Sequence, residues 1–339
     1  MTEKSQHNAY GACVNNGKDV TPTSIGGQAV IEGVMMRGKY SWAVSARDAE
    51  GEIHSKEFDL KSGDKKNAWM KKPLIRGVVA LVESLVMGTK ALTISAQLAG
   101  VDEETGEEMP AGAMVGAIIG GALMAVGIFI ILPAFLTNLI MGSAAQNPLG
   151  WNAVDGLLRV VAFFAYVWLI GFYPDLKRVF MYHGAEHKTI HALEHGEELT
   201  IENARKYPRL HVRCGTAFLL MVMVISILVF SLVPIKMIAT SLGLTNKYAL
   251  LAVVIASRII LMPLVAGIAY EITVKWAGPR AENPLVKIVL WPGLQLQRFT
   301  TAEPSDDMLE CAIRSTEIVL ERERREEGLS VATTQLENP

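Results

Sequence analysis

Long apolar stretches alternate with polar connections through the middle of the chain. No charged residue occurs between Glu108 and Asp155. Within that window Ala111 to Leu136 is long enough to cross a bilayer, which takes about 20 apolar residues. Pro133 is placed to kink or end this first span. A second span runs from about Leu157 to Tyr173, with Arg159 near its start able to snorkel to the interface. A third, Gly215 to Ile235, has no charge, and a fourth, Tyr248 to Tyr270, carries Arg258 near its middle.

The flanking segments show shorter periods. Ser41 to Arg47 and Glu52 to Leu60 favour strands, with Asp48-Ala49-Glu50-Gly51 as the turn between them. Leu74 through Ala99 has the spacing of an amphipathic helix that lies on the membrane or fills part of a bundle. Residues 284–299, with Trp291 and Pro292-Gly293, have an interfacial character. From Ser305 a helix starts with acids at its positive end. Met308, Leu309, Ala312, Ile313, Thr316, Val319 and Leu320 recur on one of its faces.

The expected architecture is therefore a mainly α, polytopic membrane protein with about four transmembrane helices and a small N-terminal cytoplasmic β unit. Residues 1–23 read as a disordered tail without a cleavable signal peptide. The β unit occupies 24–60 and a cytoplasmic or interfacial helical segment 61–110. The membrane domain is 111–271, with a His-rich cytoplasmic loop at 174–214. Interfacial and C-terminal helices fill 272–325, and 326–339 is a tail.

Composition agrees with this. Half of the 339 residues are hydrophobic and the mean hydropathy is +0.29, too apolar for an ordinary soluble enzyme of this length. A net charge of −2 argues against general nucleic-acid affinity. Cys13, Cys214 and Cys311 are far apart and odd in number, which gives no disulfide framework and suits a reducing compartment. Lysine and arginine then set the direction. Seven fall in 61–110, none in 142–153, seven in 174–214 and two in 236–247, followed by Lys275, Arg280, Lys287 and Arg298. The positive-inside bias places both termini and the loop at 174–214 in the cytoplasm.

That loop carries the chemistry. His183, His187, His191 and His195 follow one another at four-residue spacing. His183 to His187 reads H-x-x-E-H, the pattern of inverted zinc hydrolases. On a helix, positions four apart are offset by about 40° and rise about 6 Å, so His183 and His187 can share one ion. Glu186 sits beside them as a general base. Catalytic zinc takes three protein ligands plus water. The third comes from His191 or Glu194 on the same helix, or from His211 and Cys214 after the chain turns at Gly196. The expected cofactor is zinc or another divalent metal, bound by His183, His187, His211 and Cys214. Solvated histidines without an ion are the plainer alternative.

Arg258 is a second candidate, because a charge at mid-bilayer depth is costly and needs a partner such as Asp155, Glu271 or an anionic lipid head group. Glu32, Arg37 and Tyr182 read as structural. Gly26 to Gly38 reads as a structural turn rather than a ligand loop, since neither its spacing nor a lysine suits phosphate binding. Gly112, Gly116 and Gly120 on the first span would let a second helix approach closely, so a homo-oligomer is an expected partner beside the lipid bilayer.

With these residues in hand, the chain resembles the YqhQ-like bacterial membrane proteins, a family of unknown function. The similarity covers about residues 24–320. It is carried by Gly26 to Gly38, by Tyr182 to Lys188, by Arg213 to Thr216, by Pro292 to Gln295 and by Thr300 to Pro304. The resemblance implies a multi-pass protein of the bacterial inner membrane and a metal-dependent enzyme, with no substrate named. The leading reading is a zinc hydrolase on a lipid or membrane-associated substrate. A non-catalytic scaffold with a structural metal stays open, as does an oligomeric transporter of small solutes or lipids built on Arg258.

Overall fold

Both faces of a small sheet are covered, and that fact organises the soluble half. The computed structural model describes residues 25–60, 68–100, 111–142, 147–212, 214–233, 246–277 and 283–326, with a few single positions between them. The expected tails lie outside these residues, apart from Glu326. Strands β1 (Gly26–Val30), β2 (Gly33–Arg37), β3 (Ser41–Arg47) and β4 (Ile53–Asp59) form one antiparallel sheet in sequence order. The β3–β4 hairpin follows the expected pattern. The β1–β2 hairpin replaces the structural turn expected over Gly26 to Gly38. Glycine is depleted in strands, which hid the pairing. Gly33 is needed there, since a Cβ would stand 2.1 Å from Ser45 O.

Ten α-helices accompany the sheet among the described residues. They are α1 (Ile75–Leu98), α2 (Ala111–Val126), α3 (Leu132–Met141), α4 (Pro148–Ile170), α5 (Pro174–Glu194), α6 (Ile201–Arg205), α7 (Gly215–Leu232), α8 (Lys247–Tyr270), α9 (Pro284–Thr300) and α10 (Asp306–Glu326). Ile25, Val34, Met36 and Ala43 pack on Tyr182, Ala185 and Ile190 of α5 and on Met308, Leu309, Ala312 and Val319 of α10. Complete burial of a side chain such as Leu309 contributes about 1.5–3 kcal/mol. Val30, Met35, Trp42 and Val44 pack the opposite sheet face against Ala91 of α1. Two buried faces explain the unbroken apolar run Val34-Met35-Met36.

The spans sharpen the sequence reading. α2 and α3 form one continuous helix through a wider π-type turn, Gly127–Ile131. Pro133 therefore does not end the helix. It has no N–H to return to the preceding turn, and the π-type turn just ahead absorbs the misfit. Gly116 and Gly120 are exposed, with nothing within 4 Å of a built Cβ. α4 begins nine residues before Leu157, because Asn147 caps it through Gly150 and Pro148 opens it. Asp155 and Arg159 neutralise each other one turn apart at 2.8 Å.

Among the described residues, four helices are long and apolar enough to cross a membrane: Ile75–Leu98, Ile119–Met141, Gly150–Ile170 and Ile255–Ala277. The expected span at Gly215–Ile235 appears as α7, whose described apolar stretch Leu220–Phe230 is shorter. α1 meets the length criterion, yet its ends are occupied. Gly77 presses on Tyr270 and Gly267 of α8, Gly88 faces Gln28, and Ser95 Oγ accepts from Ile31 N at 3.1 Å. One side of α1 is docked on the sheet and on α8, while Val82, Leu85 and Val86 are exposed.

Candidate metal centre

Three segments far apart in sequence build the centre. α5 leaves the span α4 after a three-residue link, with Pro174 at its first turn. Residues Arg209 to His211 lie along α5, and Cys214 stands at the head of α7. The C-terminal end of α9 closes over both. Gly184 makes this closure possible, because a Cβ there would lie 2.1 Å from Ala302 O. Ala302 N also donates to Phe180 O at 2.8 Å.

His183, His187 and Cys214 come together, each offering a ligand atom within 4.8 Å of the others. His183 Nε2 stands 3.2 Å from Cys214 Sγ, and the two imidazole centroids are 4.4 Å apart. The remaining ring nitrogens are held by carbonyls. His183 Nδ1 bonds to Thr300 O at 2.8 Å and His187 Nδ1 to Arg209 O at 2.5 Å. A carbonyl accepts only from N–H, so each ring keeps its Nδ1 on the main chain and turns Nε2 towards the cysteine. His187 Nε2 is buried and makes no hydrogen bond of good geometry.

These features fit a metal. Outer-shell carbonyls that fix the tautomer are a regular partner of metal-binding histidine. Two imidazoles and a thiolate suit zinc. Around a tetrahedral zinc, nitrogen and sulfur ligands stand roughly 3.5 Å apart, given bonds of about 2.0–2.3 Å. The 3.2 Å separation of His183 Nε2 and Cys214 Sγ is close to that edge.

Electrostatics favour the ligand form of the thiol. Burial alone would raise the Cys214 pKa, but His183 and His187 overcome this and hold it well below the ordinary thiol range. Burial opposes a charge on His183, yet the thiolate and Glu186 push its pKa up to about 9. Glu186 lies 3.9 Å from His183 Nε2 and is 5% exposed. Burial raises its carboxyl pKa despite the nearby histidines and the N–H of Gly27. Gly27 has to be glycine here, since a Cβ would meet Glu186 Cγ at 2.8 Å.

His211 goes elsewhere. Its Nε2 is 3.0 Å from Glu194 Oε2, and it groups with His191 and Glu194, all three buried. Its ring centroid is still only 5.7 Å from that of His187. His195 bonds back to His191 O at 2.7 Å and takes no part in either group. Arg258 is remote from the centre. Its guanidinium lies 5.5 Å from the Phe230 ring and is coupled electrostatically to Asp155. Glu271 is instead engaged by Arg76, with Nε at 2.8 Å. Glu32 pairs with Arg178 and accepts from Tyr182 at 3.3 Å, and Arg37 pairs with Glu83 at 3.2 Å. These are structural roles, as read.

Sequence reasoning missed Thr300, Arg209, Gln297 and Gly27. Main-chain carbonyls leave no trace in side-chain identity. Gln297 left one: it is a polar residue on the apolar face of α9. Its amide accepts from His211 N and donates to His211 O, each at 2.8 Å.

A family model described as "Protein of unknown function (DUF1385)" matches residues 72–322. A protein of Bacillus subtilis (strain 168), the "Uncharacterized protein YqhQ", is 33% identical over 309 residues, covering 88% of this chain and 92% of the relative. No solved structure matches the chain.

Proposed function

We propose that this chain, which belongs to the DUF1385 family, is an integral membrane enzyme that depends on a divalent metal, zinc by preference. It hydrolyses a lipid or membrane-associated substrate at the cytoplasmic face of the bacterial inner membrane. The observation that carries the reading is the convergence of His183, His187 and Cys214 within 4.8 Å, with both imidazoles pre-oriented by carbonyls.

His183 Nε2, His187 Nε2 and Cys214 Sγ would hold the ion. The chemistry it supplies is Lewis acidity towards a carbonyl or phosphoryl oxygen. Glu186 takes the proton of the attacking water and returns it to the leaving group. Its raised pKa suits that exchange near neutral pH. The N–H groups of His183 and His187 stay on Thr300 O and Arg209 O, which keeps both rings aimed. A membrane substrate is supported by position. α5 follows the span α4 directly, and Cys214 immediately precedes α7. The covering helix α9 exposes Leu285, Ile288 and Trp291.

The near-complete burial of His187 favours a second reading, a scaffold whose ion is structural. Two measurements separate the readings. Cobalt-loaded wild type should show a thiolate-to-metal charge-transfer band, and His187→Ala should lose it. Persistence of the band in that variant would remove the centre. Glu186→Gln should keep the band. In a strain lacking the gene it should fail to reverse the change in membrane lipids that wild type reverses; full reversal would leave the scaffold.

A further inference from the structure

Beside the first centre lies a second group that the proposed reaction leaves unused. His191 and Glu194 stand on α5 and His211 on the returning stretch. They are 2%, 4% and 3% exposed, and each offers a ligand atom within 4.8 Å of the others. Two imidazoles and a carboxylate form a common set for zinc, iron or manganese. The 3.0 Å between His211 Nε2 and Glu194 Oε2 is close to the spacing of neighbouring ligands on one small ion.

The surroundings are built as an outer shell. His191 Nε2 bonds to Leu210 O at 2.9 Å, which leaves Nδ1 as its lone-pair nitrogen. The Gln297 amide locks His211 through both its N–H and its carbonyl. The ring of His211 lies 4.6 Å from that of His191 and 5.7 Å from that of His187. The two groups therefore adjoin through His211.

We propose that His191, Glu194 and His211 hold a second divalent cation next to the one at His183, His187 and Cys214. This site goes beyond the hydrolase reading and does not rest on it. Adjacent ions are a recurrent device for clamping phosphoryl and carboxyl groups, so a paired centre would bind an anion of that class.

The test is metal stoichiometry on the full chain, purified in detergent and reconstituted with zinc or cobalt. Wild type should hold two equivalents per chain. His191→Ala and Glu194→Gln should each hold one and keep the cobalt–thiolate band. Cys214→Ala should hold one and lose the band. The isosteric Glu194→Gln variant guards against misfolding of His191→Ala, with monodispersity as the check. One equivalent in wild type, removed by Cys214→Ala and untouched by Glu194→Gln, would overturn the second site and leave the first. One equivalent removed by Glu194→Gln and kept by Cys214→Ala would support the second site and remove the first. No bound metal after reconstitution would overturn both.

Discussion

Cys214 and Cys311 are the same residue type in opposite settings. Burial and two imidazoles act on Cys214, and the imidazoles prevail, so its thiolate persists as pH falls. Cys311 lies in the core under α10, where burial pushes its pKa up to about 11. In metal-stripped protein with Cys13→Ser, iodoacetamide should label Cys214 well below the ordinary thiol range, while Cys311 reacts only in alkali. Metal loading should protect Cys214. Peptide mass spectrometry reads both, and equal labelling of the two thiols would contradict the imidazole–thiolate pair. Gln297 makes the complementary case. Gln297→Leu leaves two buried main-chain groups of His211 without their amide, at about 1–3 kcal/mol each. A lower melting temperature should accompany metal affinity weakened about 10–100-fold, as for lost outer-shell partners. Among single residues, the convergence of His183 and His187 was legible, because H-x-x-E-H on a helix has one geometric consequence. The division of His211 from Cys214 was not. It depends on how a three-residue step curves, and spacing does not encode that.

At the scale of elements, periodic segments declared themselves and glycine-rich ones did not. α10 was visible because its apolar positions recur at helical spacing, and Met308, Leu309, Ala312, Ile313, Thr316 and Val319 are buried as that spacing requires. β1 and β2 were hidden because their glycines serve tertiary contacts rather than strand propensity. Gly27 clears Glu186, and Gly33 lies against β3. Pro133, Pro263 and Pro292 all sit within or beside continuing helices, so proline was a weaker stop signal here than in water-exposed helices. The packing of α5 against the chain after α9 is the most sensitive contact. Gly184→Ala pushes a methyl group into the Ala302 carbonyl and should cost about 1–3 kcal/mol. Thermal unfolding should show the loss, together with weaker metal binding as Thr300 O withdraws from His183. An unchanged melting temperature would mean that this contact is looser than described.

At the scale of the whole molecule, a layered sheet-and-helix unit is joined to a bundle of apolar helices, and the candidate metal centre lies where they meet. α9 links the two, packing Leu296 against Val167 of α4 and Leu220 of α7 while its end reaches His183. We propose, from the excess of lysine and arginine on its side of the spans, that this junction faces the cytoplasm. A membrane-impermeant maleimide applied to intact cells should therefore label Asn147→Cys, between α3 and α4, and spare Glu323→Cys on α10. The reverse pattern would invert the topology. Distance along the chain has a final consequence for biogenesis. The carbonyl that orients His183 lies 117 residues further along the chain. At about 5–20 residues per second, the ribosome reaches it roughly 6–23 s after the imidazole. Throughout that interval the nascent polypeptide carries histidines without their brace. The orienting contact at His183 is thus a late event, completed only after every apolar helix that precedes Thr300 has been synthesised.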